Sequence, residues 1–153
     1  MDDRAAITNL VFTYAERIDA GDFEGVADLL RDAAVSAEGS DVVYRGYDAI
    51  LGMYTAATRR YEDGTPRTKH VTTNLTVDLD EAAGTAAARS YFTVLQAVPG
   101  QLALQPVIAG RYRDGFERVG SGWRFVSRHM IVDLVGDLSH HLLYELPDDS
   151  GRA

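Results

Sequence analysis

Asp19, His70, Tyr14 and His129 are residues of this sequence whose types could serve general acid and base chemistry, if the fold turns them inward. Ile7, Leu10, Val11, Tyr14 and Ile18 recur at helical spacing and make one apolar face. On a helical wheel Asp19 falls about 120° from Ile7, inside that apolar arc, whereas Asn9, Thr13, Glu16 and Arg17 gather opposite. A carboxylate in the last helical turn is disfavoured by the helix dipole, so local stability does not account for it. Either Asp19 faces an interior where it has work to do, or it frays outward or caps the next helix. Asp22 is the better placed cap. Tyr14 lies on the same stripe, as a core aromatic or as a phenol at a site. His70 alternates with Thr68, Thr72, Asn74 and Thr76, opposite Val71, Leu75, Val77 and Leu79. That polar face is a wetted surface or the lining of a ligand cavity. His129 alternates with Trp123, Phe125, Ser127 and Ile131 on a largely apolar face, as a satisfied core histidine or a second pocket residue. The pair His140-His141 lacks a third ligand at useful spacing, so no metal site is expected.

The elements that must position these groups can be read from periodicity and turn residues. A helix is predicted over 2–19 and stopped by Gly21; a second runs from Phe23 to about Leu30, and a third from Tyr47 to about Arg60. Val35 to Ala37 and Val42 to Arg45 form a small hairpin around Glu38-Gly39-Ser40-Asp41. Four long β runs come next, about 68–79, 85–97, 102–119 and 123–135, each separated from its successor by turn residues. Helices first and an antiparallel meander afterwards is an α+β pattern, with the helices covering one face of a curved sheet. His140 to Tyr144 is a short helix or an arm, and Pro147 to Ala153 a polar tail.

Composition narrows the chemistry. The chain has 153 residues, no cysteine and a net charge of −8, which excludes thiolate catalysis, thiolate metal sites and redox switching. Excess acid makes nucleic acid and anionic membrane poor partners. The start, Met1-Asp2-Asp3-Arg4, lacks a signal-peptide layout, and a cytoplasmic location is expected. No phosphate-binding glycine loop, dinucleotide fingerprint or nucleophile elbow is present. What remains is general acid and base chemistry, or binding without chemistry.

The order of elements and several motifs resemble the SnoaL-like branch of the nuclear transport factor 2-like superfamily over about Asp3 to Val135. The resemblance rests on Arg4-Ala5-Ala6-Ile7 with Leu10 and Tyr14, Ile18-Asp19-Ala20-Gly21-Asp22-Phe23, Thr68-Lys69-His70-Val71-Thr72-Thr73-Asn74, Gly110-Arg111-Tyr112 and Gly122-Trp123-Arg124-Phe125. It implies a cone-shaped antiparallel sheet wrapped around the N-terminal helices, with a mostly apolar pocket, in one domain over 1–135 followed by an arm and tail over 136–153. The narrower resemblance is to the scytalone dehydratase, bile acid dehydratase and lindane dehydrochlorinase group. In that group an Asp ending the first helix and a His on the first long strand meet in the pocket. These fall on Asp19 and His70, and a tyrosine five residues before the Asp matches Tyr14. One departure is that Arg89, Tyr91 and Thr93 stand where scytalone dehydratase carries a second histidine on the following strand.

The resemblance implies that His70 removes a proton beside a carbonyl, that Asp19 fixes its tautomer, and that Tyr14 donates to the developing enolate or the departing hydroxyl. Phe23, Tyr44, Met53, Tyr54, Asn74, Tyr91, Arg111, Phe116 and His129 are the expected substrate-lining residues. The expected partner is a small hydrophobic cyclic or aromatic ketone, with no cofactor and no metal, in a homo-oligomer. A dehydratase is the first reading. A polyketide cyclase of the SnoaL type and a non-catalytic binding or assembly module are the alternatives. An epoxide hydrolase ranks lower, since only Asp19, Arg111 and Asn74 are available to position water.

Overall fold

The computed structural model describes residues 2–146, and the tail expected over Pro147–Ala153 lies outside them. Helix α1 (Asp3–Asp19) begins under Asp2, whose carboxylate accepts from the Ala5 N–H at 2.8 Å. The Asp3 carboxylate accepts from the Trp123 indole at 2.9 Å and from Arg118 at 2.6 Å, tying the start of the helix to the far end of the sheet. Ile7, Val11, Tyr14, Ala15 and Ile18 are buried, as the stripe requires.

Gly21 ends α1 and redirects the chain. Its φ is +74°, and a Cβ there would stand 1.9 Å from the carbonyl oxygen of Gly64, in the loop that leads into the first long strand. Only glycine permits both the turn and the approach. Gly21→Ala is therefore expected to destabilise the fold by about 2 kcal/mol or more, read as a lower midpoint in urea unfolding.

Helix α2 (Phe23–Leu29) is capped by Asp22, which accepts from the Gly25 N–H at 2.8 Å. Strands β1 (Ala34–Ala37) and β2 (Val43–Arg45) form the expected hairpin. Helix α3 (Tyr47–Ala57) stops three residues short of Arg60, because Thr58 turns extended to bridge Leu142. The Ala57 carbonyl accepts from Leu143 N–H, and Arg59 N–H donates to the His141 carbonyl, both at 2.9 Å. His140 to Tyr144 is thus neither helix nor free arm at its start; it is a turn stitched onto the end of α3.

Strands β3 (Thr68–Asp80), β4 (Thr85–Val98), β5 (Leu102–Val119) and β6 (Gly122–Val135) complete a six-stranded sheet of order β2-β1-β6-β5-β4-β3. The α+β class holds, with one correction to the antiparallel reading. The β1–β6 pair is parallel, because the early hairpin docks along the free edge of the last strand.

In β4 alternation is clean, with Ala86, Ala88, Ser90, Phe92, Val94, Gln96 and Val98 all buried. Strands β3 and β6 do not keep parity. Between Thr73 and Thr76 the β3 register slips by one residue, and Asn74 takes a left-handed φ of +53°. Thr68, His70 and Thr72 face inward before the bulge and Leu75, Val77 and Leu79 after it. In β6, Phe125 pairs with Phe116 and Ser127 with Gly115, leaving Val126 extra. Trp123 and Phe125 face inward, then Arg128 and Met130, while Ser127 and His129 turn outward.

Candidate active site

The last residue of α1 meets the start of β3. Asp19 Oδ2 accepts the backbone N–H of His70 at 2.7 Å, and Oδ1 accepts the Thr68 hydroxyl at 2.8 Å and faces His70 Nδ1 at 2.6 Å. Only 8% of the His70 side chain and 9% of the Asp19 side chain remain exposed. Burial alone would raise the Asp19 carboxyl, but hydrogen bonds from the His70 ring, its backbone and Thr68, with the ring's charge, outweigh it and hold the group below its ordinary value. An ionised carboxylate only accepts, so His70 Nδ1 carries a proton whether the ring is charged or neutral, and in the neutral form Nε2 is the basic lone pair.

This geometry has a pH signature. A carboxyl held below its ordinary value of 3.8 contributes stability that is complete above that value and is lost as pH falls through the lowered one. Asp19→Asn is expected to be less stable than wild type at neutral pH and to show a flatter loss of stability below pH of about 4, measured by urea unfolding across the acid range.

Behind the dyad stands an aromatic wall. The Tyr14 ring meets His70 edge-on at 6.2 Å between centroids and Tyr112 at 5.9 Å, and its phenol oxygen lies 2.8 Å from that of Tyr54. Burial raises Tyr14, and raises Tyr54 and Tyr112 further, so all three are neutral phenols able to donate. A buried cation sits among them. Arg128 has no exposed side-chain surface and binds Asp114 through two hydrogen bonds of 2.8 and 2.9 Å. Its guanidinium lies 3.8 Å from the centre of the Tyr112 ring and 4.2 Å from that of Tyr14. Burial works against this charge, but the Asp114 carboxylate outweighs it and holds Arg128 above its ordinary value. Arg128 Nη1 is buried with no hydrogen-bond partner.

His141 also comes to this end of the interior. Its imidazole is 7% exposed and is pushed down to about 4, first by burial and then by the charge of His70, with Asp19 acting the other way. Sequence reasoning missed Arg128, Asp114, Tyr112 and His141. One signal was available: Asp114 sits between Tyr112 and Phe116 at the spacing of an inward face, and an inward acid demands a partner.

Of the expected lining residues, Phe23 and Tyr54 are interior, 6.3 Å apart between rings, and Tyr44 and Met53 are half-buried against the core. Phe116 is buried against Phe125. Four others lie elsewhere. Asn74 is the exposed bulge residue, Tyr91 is 52% exposed on the outer sheet face, and Arg111 is held there by Asp133 in a two-pronged pair. His129 is turned outward by the β6 bulge onto Ser36 and Glu38. Two depressions of about 400 and 450 Å³ lie on this outer face, and neither is lined by Asp19, His70 or Tyr14. They are open furrows between strands, and the nearly buried Asp19–His70 pair is on the opposite side of the sheet. Among the described residues no group of three or more His, Asp and Glu is arranged to hold a metal ion.

A family model described as the SnoaL-like domain matches residues 1–129. The chain belongs to the SnoaL-like domain family. Solved structures similar to this SnoaL-like chain include an NTF2-like protein with a cystatin-like fold from Novosphingobium aromaticivorans, 25% identical, covering 90% of this chain and 86% of that one at a TM-score of 0.70. A second, from the same organism and named provisionally as a scytalone dehydratase, is 21% identical over 94% of this chain and 88% of that one, at 0.69. LinA is 21% identical over 94% and 93%, at 0.68. No curated protein matches the chain. At these identities the similarity establishes the fold of the SnoaL-like chain, and its chemistry has to be argued from the side chains.

Proposed function

We propose that this protein is a cofactor-independent lyase, a dehydratase first, acting on a small hydrophobic cyclic or aromatic ketone. The observation that supports it is the Asp19–His70 hydrogen bond of 2.6 Å in a nearly enclosed setting. Asp19 holds Nδ1–H and favours positive charge on the ring, so Nε2 takes a proton from the carbon beside the ketone. The enolate oxygen that develops is met by the Tyr14 phenol, with the fixed charge of Arg128 directly behind it. Expulsion of hydroxide from the next carbon, protonated by the imidazolium, completes the loss of water. One of the similar structures, provisionally named a scytalone dehydratase, carries a name that agrees with this class of reaction. The same proton abstraction serves a polyketide cyclase that closes a carbon–carbon bond.

A non-catalytic module is favoured by a different observation: Tyr14, Tyr54, Phe92 and Tyr112 fill the interior in mutual contact, and both depressions lie outside. Incubating the protein with a panel of cyclic β-hydroxyketones and open-chain aromatic diketones, and separating and weighing the products, distinguishes the three. Products lighter by one water support the dehydratase, and ring closure at constant mass supports the cyclase. Unchanged substrate throughout, with no exchange at the α-carbon, would leave only the module. The reading extends to a cytoplasmic homo-oligomer, with Val71, Tyr91, Leu104 and Leu134 exposed on the outer sheet face as the surface to be covered.

A further inference from the structure

Away from the dyad, one imidazole on the outer sheet face stands between a hydroxyl and a carboxylate. The extra residue Val126 turns His129 outward in β6, and β1 runs parallel to β6 along that edge with Ser36 opposite His129. Ser36 and Glu38 are two residues apart and share a face, and the Glu38 backbone is fixed by its N–H on the Met130 carbonyl at 2.9 Å. The ring therefore lies between them. Ser36 Oγ is 2.7 Å from His129 Nδ1, and Glu38 Oε2 is 2.8 Å from Nε2. A carboxylate only accepts, so Nε2 carries a proton; in the neutral ring Nδ1 is then a lone pair, and the Ser36 hydroxyl donates to it. Hydroxyl, imidazole and acid in one chain of hydrogen bonds is the arrangement that activates a serine, and the ring shares its charge between both nitrogens, so either can face the hydroxyl.

The surroundings admit a substrate. His129 lines the open furrow of about 400 Å³ together with Ser127, Gly115, Ala87 and Arg113, and 34% of its side chain is exposed. Arg113 stands directly opposite His129 on β5, and its guanidinium pairs with no carboxylate among the described residues. It is the cation free to meet negative charge that develops beside Ser36. Ser36 lies on the hairpin side of β6, away from Val71 and Tyr91 on β3 and β4. We propose that Ser36, His129 and Glu38 form a hydrolytic site that cleaves small carboxylic esters through an acyl-serine. Ser36 Oγ bonds to the ester carbonyl carbon as its proton passes to His129 Nδ1; the C–O bond to the alcohol breaks, and the alcohol leaves with that proton. Water then attacks the acyl carbon and gives a proton to Nδ1, and the carboxylic acid departs as the Ser36 oxygen takes the proton back. Ester and water become acid and alcohol. Glu38 touches only the ring and is a positioning residue. Neither Asp19 nor His70 takes part, so this activity stands or falls apart from the dyad.

Diisopropyl fluorophosphate, which reacts with activated serine hydroxyls and spares ordinary ones, tests this on the unmodified protein, with the adduct located by mass spectrometry of its peptides. The expected result is an adduct on Ser36, together with hydrolysis of 4-nitrophenyl acetate above the buffer rate that stops once the adduct has formed. Ser36→Ala is expected to lower that hydrolysis by about tenfold or more, to what the imidazole does alone. His129→Ala should slow labelling of Ser36 by about 10²-fold or more. Glu38→Gln should slow it by about tenfold, less than a buried acid would, because 63% of the Glu38 side chain is exposed. The imidazole ¹⁵N shifts of His129 should show the Nε2–H tautomer in the wild type and a mixture of tautomers in Glu38→Gln, which a merely structural Glu38 would not produce. No adduct on Ser36, ester hydrolysis retained in Ser36→Ala, or labelling and tautomer both unchanged in Glu38→Gln would each overturn the proposal; the first would mean a surface hydrogen-bond chain without chemistry, and the labelling needs no variant to fold.

Discussion

His70→Ala is expected to slow loss of water from a β-hydroxyketone substrate by about 10³-fold, with a much smaller change in KM. The reason lies in the hydrogen bonds already made. Asp19 accepts from the His70 ring and from its backbone N–H, so ring orientation is set before any ligand arrives. Removing the ring takes away the only lone pair so held, while Thr68 and the remaining backbone N–H still satisfy Asp19, and the fold should survive. Steady-state kinetics on the most active ketone of the panel measures the effect. A variant within a factor of about ten of wild type would show that another group takes the proton.

Asp114→Ala is expected to be the most destabilising of these single changes, by about 3–5 kcal/mol, because it strands the Arg128 guanidinium with no exposed surface and no counter-charge. Thermal unfolding would show a midpoint lower by about 10 °C for a chain of this length. The double replacement Asp114→Leu with Arg128→Met removes both charges and fills the space, and should recover most of that loss. It should not recover turnover if the cation stacked on Tyr14 acts on the developing enolate. Full recovery of both would make the pair purely structural.

The helices were legible because burial and periodicity coincide along α1: the residue that fell inside the apolar arc, Asp19, is the one that turns to the interior. His70 was harder. Simple alternation set its polar face against Leu75, Val77 and Leu79, two faces of one strand, yet both sets point inward because Asn74 absorbs an extra residue between them. The same physics in β6 misplaced His129 and concealed Arg128, since Val126 shifts the side chains from Ser127 to Val132 to the other face. A bulge is one residue long and carries no composition signal strong enough to be read from a single sequence. His141 was concealed differently: its place depends on Gln96 and Tyr61 gripping the carbonyl before it, contacts 44 and 79 residues away along the chain.

The most direct measurement of proton abstraction by His70 is solvent-deuterium incorporation at the α-carbon of a ketone without a leaving group, followed by NMR in D₂O for the wild type and His70→Ala. Label entering the ketone with the wild type, and at the buffer rate with the variant, is the expected result. Equal label uptake in the two proteins, or none above buffer in either, would contradict it.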